Sequence, residues 1–260
     1  MTHFNGNLID VMVLFLGERS QGLKRSTIQS ELNRLKCIWQ HASNLGHVPT
    51  DNPFLSQDII TPDTREENKT QLFEDDELSQ VIGLVNKQPL EFKLIIKTLI
   101  FTGARPSEIC SLTVDDFMEH QGVKVLRVKR GKTLAASRFI PLTSELANDL
   151  ARFSSSLPTD TQLFHMDEKS VSRTFSRLKK QLVNDGRRKV LYSLRVHFST
   201  AAQRAGLRED IAAQIVGHSN AKTLTFGYYS KGYEAPVVKE NYDKIAKYIK
   251  DKWPVIIPLW

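Results

Sequence analysis

Five short stretches of this chain combine residue types that can act on a phosphate ester. The first is Thr102-Gly103-Ala104-Arg105-Pro106-Ser107-Glu108. Gly103 suits the end of one helix and Pro106 the first turn of the next, so Arg105 occupies a corner fixed on both sides. A guanidinium held there can grip a phosphate through two parallel hydrogen bonds, or it can pin the corner by bonding backbone carbonyls. The second stretch is Arg130-Gly131-Lys132-Thr133. A lysine on such a turn can deliver a proton to a departing alkoxide, or it can simply be solvated. The third is Tyr192-Ser193-Leu194-Arg195, the fourth Val216-Gly217-His218-Ser219, and the fifth Thr225-Phe226-Gly227-Tyr228-Tyr229-Ser230-Lys231-Gly232. Taken singly, a histidine after glycine reads as a loop residue and paired tyrosines read as packing.

The elements that must position these residues follow from periodicity. Apolar residues recur at Ile28, Leu32, Leu35, Trp39, Ala42 and Leu45, which predicts a helix over Thr27–Leu45. Ser26 and Gln29 fit a capping box at its start, and Asn44-Leu45-Gly46, Pro49 and Pro53 end it. Leu8–Leu16 is a candidate partner helix. Polar residues Ser56–Gln71, with Pro62 inside, read as a linker, and Leu72–Glu77 opens a new helix with acids in its first turn. Leu90–Thr102 predicts a strongly apolar helix at the centre of a core. Val123–Val128 and Arg138–Leu142 predict two strands of a hairpin with a basic tip. Further helices are expected over Glu168–Val183, Leu194–Ala205, Arg208–Val216 and Val238–Lys250. The pattern predicts a mostly α chain with a small antiparallel β-sheet, an α+β domain, behind a small all-α N-terminal domain. The boundaries are 1–55, a linker at 56–71, a main domain at 72–232 and a C-terminal helix and tail at 233–260.

Composition narrows the classes. The 260 residues carry a formal net charge of +7, and the pI near 9.3 favours a polyanionic partner. Cys37 and Cys110 lie far apart and read as two buried thiols in a reducing cytoplasm. No apolar run reaches the roughly 18 residues of a membrane span, and no Cys/His cluster has metal-site spacing.

In order, the five stretches resemble the tyrosine recombinases, the phage integrase family. That family presents an arginine in a T-G-x-R-x-x-E context, a hairpin lysine, an H-x-x-R box, a G-H pair and a nucleophilic tyrosine. The matching positions are Arg105 with Glu108, Lys132, Arg195, Gly217-His218 and Tyr229, and the resemblance runs from about Leu72 to Gly232. The N-terminal helices and the Gly46 to Asn52-Pro53 stretch are similar to the family's core-binding domain. One position departs: the first histidine of the H-x-x-R box is Tyr192. A phenol, with a reference pKa of about 10, is a poor proton acceptor at neutral pH, although it can still hydrogen-bond a phosphate oxygen or orient Arg195. Tyr228 and Tyr229 are adjacent, and neighbours on a helix point about 100° apart, so one of them faces the phosphate. The family's T-[YF]-G-x-Y variant selects Tyr229.

The resemblance implies a site-specific recombinase that integrates or excises a mobile element through a 3′-phosphotyrosine, without metal, ATP or another cofactor. Arg105 and Arg195 then stabilise the transition state, Lys132 is the general acid, His218 hydrogen-bonds a non-bridging oxygen or assists proton movement at the tyrosine, and Tyr192 bonds a phosphate oxygen or orients Arg195. Glu108 is structural. Phosphate contacts are expected from Arg173, Arg177, Lys179, Lys180, Arg187, Arg188 and Lys189, with Lys24, Arg25 and Arg34 contributing from the N-terminal domain. The expected partners are a double-stranded recombination site, a tetramer of this chain on DNA, and DNA-bending or directionality factors in the nucleoid. The tail either packs on its own domain or docks on a neighbouring subunit. Three rival readings are a helix-turn-helix regulator built on Leu194–Ala205 and Arg208–Val216, a type IB topoisomerase-like enzyme, and a helical interaction domain.

Overall fold

The computed structural model describes residues 25–55, 70–129, 137–182, 188–217 and 232–256. The chain divides into two compact units, 1–69 and 70–260. In the first, helix α1 spans Arg25–Asn44. It begins upstream of the expected capping box, so Ser26 lies inside it. Its end follows glycine chemistry: Gly46 has φ +74°, and His47 N–H donates to the Ala42 carbonyl at 3.0 Å. The chain then folds back on the helix. Trp39 Nε1 donates to the Pro49 carbonyl at 3.1 Å, and the Trp39 and Phe54 rings meet edge to face. Asn52 Nδ2 donates to the Lys36 carbonyl, and Asn52 Oδ1 accepts from Phe54 N–H. Cys37 is exposed rather than buried, because it lies on the polar side of α1, away from Ile28 and Leu32.

The second unit is built around one helix. After α2 (Asp75–Val85), helix α3 (Leu90–Thr102) is buried along almost its whole length, with Phe92, Leu94, Ile95, Ile96, Leu99, Ile100 and Phe101 inside. Even its lysine is buried: Lys97 pairs with Asp149 at 2.6 Å. Short α4 (Pro106–Cys110) leads to a three-stranded antiparallel sheet in the order β1 (Phe117–His120), β2 (Val123–Val128), β3 (Arg138–Pro141). Strand β1 was not foreseen. Gln121 and Gly122 both have positive φ, as a tight hairpin turn requires, and they fold Phe117–His120 back onto β2. Helix α5 (Ser144–Ser154) was also unforeseen; Thr143 Oγ1 caps it by accepting from Leu146 N–H.

Helix α6 (Glu168–Lys179) starts at the Asp167 cap and ends short of the expected Val183. Helices α7 (Ser193–Arg204) and α8 (Glu209–Val216) follow, then α9 (Ala235–Lys252). The tail is therefore not a separate appendage through Ile256. Tyr242, Ile245 and Ile249 of α9 are fully buried, Trp253 Nε1 donates to Asp75, and Asn86 donates to the Val255 carbonyl. Among the described residues no helix is long and apolar enough to cross a membrane.

Candidate phosphate-binding site

The site begins where α3 stops. Gly103 adopts the left-handed conformation (φ +60°) and returns its N–H to the Leu99 carbonyl at 3.0 Å. A side chain there is excluded twice, since a Cβ would lie 2.4 Å from the Phe198 ring. That contact seats α7 against the corner. From α7, Arg195 then donates to the Gly103 carbonyl at 2.6 Å. Arg105, two residues past Gly103, is thus brought to the same corner as Arg195, which lies far from it in the chain.

Glu108 organises the corner. One oxygen accepts from Arg105 N–H at 2.8 Å, and the other pairs with the Arg105 guanidinium at 2.8 Å. The same carboxylate receives Arg138 through two bonds, at 2.9 and 3.2 Å. Burial alone would push the Glu108 carboxyl up, but the bonds and charges of Arg138, with those of Arg105, hold it below the usual range. It stays ionised among three guanidinium groups.

Arg138 is a member of this cluster that the sequence motifs do not single out. It is buried on β3 and donates from Nε to the Ile215 carbonyl near the end of α8 at 2.7 Å. Gly217, which ends α8 at φ +74°, leaves room for it, since a Cβ there would lie 2.6 Å from the guanidinium. Arg138 therefore ties the Arg105 corner to the turn that precedes His218. The signal was present in the strand pattern: alternation places Arg138 on the same inward face as Ile140.

Arg195 is buried at 3% exposure, and among the described residues its second terminal nitrogen has no hydrogen-bond partner. Burial draws its pKa down. Tyr192 opposes that shift, and the charges of Arg105 and Arg138 reinforce it. A buried guanidinium with an open donor is costly, and an anion supplies what it lacks. Tyr192 is 41% exposed, immediately before α7. His197 belongs elsewhere. It stacks on Phe73 and its Nε2 accepts from Phe73 N–H at 2.9 Å, away from the guanidinium cluster.

Of the cationic surface foreseen around α6, Arg173, Arg177, Lys180 and Arg188 are exposed. Lys179 is not: it is buried and donates to the Lys189 carbonyl at 2.8 Å, so it braces the fold. Lys189 is half-buried and pairs with Glu77. In the first unit Arg34 is exposed on α1; Arg25 is in α1 but its side chain, like Lys24, lies outside the described residues. Lys132, Arg187, His218, Tyr228 and Tyr229 also lie outside them. Among the described residues no three His, Cys, Asp or Glu side chains gather as metal ligands.

The chain is similar to several known proteins. The phage integrase family model matches residues 71–234. A tyrosine recombinase of Pseudothermotoga lettingae is 23% identical over 94% of this chain and 82% of its own length. The tyrosine recombinase XerA of Pyrococcus furiosus is 24% identical, covering 57% of this chain and 54% of its own. Among solved structures, lambda integrase residues 75–356 as a dimer bound to a core site superpose with a TM-score of 0.61 at 16% identity, covering 87% of this chain and 82% of that one. A lambda integrase tetramer bound to a Holliday junction gives a TM-score of 0.64 at 17% identity, covering 87% and 66%.

Proposed function

This chain belongs to the phage integrase family, the tyrosine recombinases, and on that premise we propose that it cuts and rejoins DNA at specific sites through a 3′-phosphotyrosine. The observation that carries the reading is the Arg195 guanidinium, buried beside Arg105 and Arg138 with a donor open. Arg105 and Arg138 share the one carboxylate of Glu108 while Arg195 feels the charge of all three, so positive charge exceeds negative here, which suits the pentacoordinate phosphorus of a transesterification.

In this mechanism the Tyr229 hydroxyl oxygen bonds to the scissile phosphorus and the P–O5′ bond breaks. Lys132 gives its proton to the departing 5′-oxygen. His218 assists loss of the tyrosine proton, and Tyr192 donates to a non-bridging oxygen. The phosphotyrosine conserves the ester energy, so a 5′-hydroxyl from a second strand reverses the step without ATP. Arg173, Arg177, Lys180, Arg188 and the basic residues of the first unit, which we read as a core-binding domain, hold the duplex through its phosphates. A tetramer of this chain on DNA, moving a mobile element with the help of bending or directionality factors, completes the reading.

A helix-turn-helix role for α7 and α8 is less well supported. Leu194, Phe198, Ala201, Ile211 and Ile215 commit both helices to the core, and Glu209 and Asp210 would meet DNA with like charge.

The test uses nicked duplexes cut from the DNA flanking the gene. A covalent adduct should survive denaturation, its linked peptide should contain Tyr229, and Tyr229→Phe should bind the duplex yet yield no adduct. Adduct retained by Tyr229→Phe and lost in Tyr228→Phe would move the nucleophile by one residue. Binding by the wild type without any adduct would overturn the enzyme reading.

A further inference from the structure

Both ends of the segment that carries His218 and Tyr229 are fastened to one short helix. At the entrance, Gly217 ends α8, returning its N–H to Ala213 at 2.8 Å over the Arg138 guanidinium. At the exit the fastening is a side chain. Gln214 Nε2 donates to the Tyr233 carbonyl at 2.9 Å, and Gln214 Oε1 accepts from Tyr233 N–H at 2.8 Å. An amide side chain offers one acceptor and donors in a plane, so it pairs with a backbone residue much as a neighbouring strand does. Gly232 (φ +79°) allows the approach, because a Cβ there would lie 2.9 Å from Gln214 Oε1.

The fastening is reinforced on the next turn of α8. The Tyr233 hydroxyl donates to Asp210 at 2.7 Å, and Arg208 donates to both the hydroxyl and Asp210, at 2.9 and 2.7 Å. Beyond it, Gln121 of the β1–β2 turn accepts from Ala235 N–H at 2.8 Å. Gln214 and Gly217 lie within one turn of α8. The chain is therefore bonded to α8 at Gly217 and again at Tyr233, and Tyr233 stands four residues after Tyr229 in the sequence.

We propose that Gln214 is a positioning residue for the tyrosine nucleophile: its two-point bond to the Tyr233 backbone sets where the segment bearing Tyr229 is held. The inference rests on the transesterase reading above and adds a residue that touches neither DNA nor the reacting atoms. A polar pair at this half-buried place is not needed to hold α8, whose Ile211, Ile215 and Val216 already anchor it in the core. Its consequence is geometric, and a nucleophile misplaced by about 1 Å can lose on the order of 10²-fold in rate.

The experiment compares wild type with Gln214→Ala and Gln214→Glu. Glutamate keeps the acceptor for Tyr233 N–H and loses the donor to its carbonyl. On the nicked duplexes from the flanking DNA, Gln214→Ala should form adduct on the order of 10²-fold more slowly at saturating protein, with duplex affinity and melting temperature unchanged. Gln214→Glu should fall between the two. A substrate with sulfur in place of the bridging 5′-oxygen, whose thiolate leaves without a proton, should not relieve the defect. Adduct at the wild-type rate from Gln214→Ala, or full relief by the sulfur substrate, would overturn the proposal. Amide hydrogen exchange supplies an arm independent of chemistry. Tyr233 N–H should lose protection in Gln214→Ala while α8 and α9 keep theirs. If wild type gives no adduct but this arm behaves as expected, the transesterase reading fails and the anchoring stands. Unchanged protection at Tyr233 would refute the anchoring itself.

Discussion

Two ionic clusters lie along helix α3 and just past its end, and they are built to opposite rules. Midway along α3, Lys97 meets Asp149 of α5 at 2.6 Å, a cation paired with an anion, both buried. At its C-terminal end Arg105, Arg138 and Arg195 gather around the single carboxylate of Glu108. The first cluster is balanced and joins two helices. The second carries excess charge and, among the described residues, an unbonded donor. Desolvating an ion costs several kcal/mol unless a counter-charge compensates, so a surplus of buried cations signals a site completed by an anion from outside the chain.

The sharpest way to break this contrast is to remove one member from each cluster. Lys97→Met leaves Asp149 buried without its ammonium and should cost about 3–5 kcal/mol in urea unfolding. Adduct formation per folded molecule should stay unchanged. Adding Asp149→Leu should recover most of that stability; a double variant as unstable as the single would show that the pair is not the source.

Arg195→Met is the converse. Adduct formation should fall on the order of 10²–10³-fold, while unfolding free energy moves by less than about 1 kcal/mol, because the lost bond to Gly103 is offset by relief of a buried, under-bonded charge. A collapse of stability in Arg195→Met would make the two clusters alike after all.

His197 extends the contrast to a buried group that carries no charge. Burial first, with some help from Arg204 and Lys189 and against the pull of Asp75, lowers its pKa to about 4 from 6.5. The unfolded chain takes up a proton below pH 6.5 and the folded one does not. Stability is therefore full above that value and falls as pH drops toward 4, by about 3 kcal/mol in all. In His197→Gln, which can still accept from Phe73 N–H, unfolding free energies between pH 4 and 6.5 should lose this slope. An unchanged slope would assign it to other groups.

These clusters also mark how far the sequence could be read. Helix α3 and the Gly103–Pro106 corner were legible because a continuous apolar run, a helix-ending glycine and a helix-opening proline all act locally. Strands β2 and β3 followed from alternation. Strand β1 did not, since Phe117–His120 is too short and too polar to declare itself without its Gln121-Gly122 turn. Lys179 looked like a DNA contact because charge is visible in a sequence and burial is not; its carbonyl partner, Lys189, lies ten residues on in the chain. Arg138 was overlooked for the same reason. Its importance lies in Glu108 and Ile215, on two other elements, and no local pattern announces such a meeting. Gln214 is legible only through its partner: a glutamine on a short helix is ordinary until the Tyr233 backbone is found against it.

The seam at Asp75 and Trp253 has a further consequence. Trp253 donates to Asp75, Lys252 pairs with the same carboxylate, and Val255 receives Asn86, so helix α2 and the stretch that closes α9 lie side by side in the second unit. Such a unit is topologically close to a circle. A short tether across the seam could join its two sides, and a break could be opened at an exposed turn such as Ser154–Leu157. Chain order would then be rewritten while the guanidinium cluster kept its place.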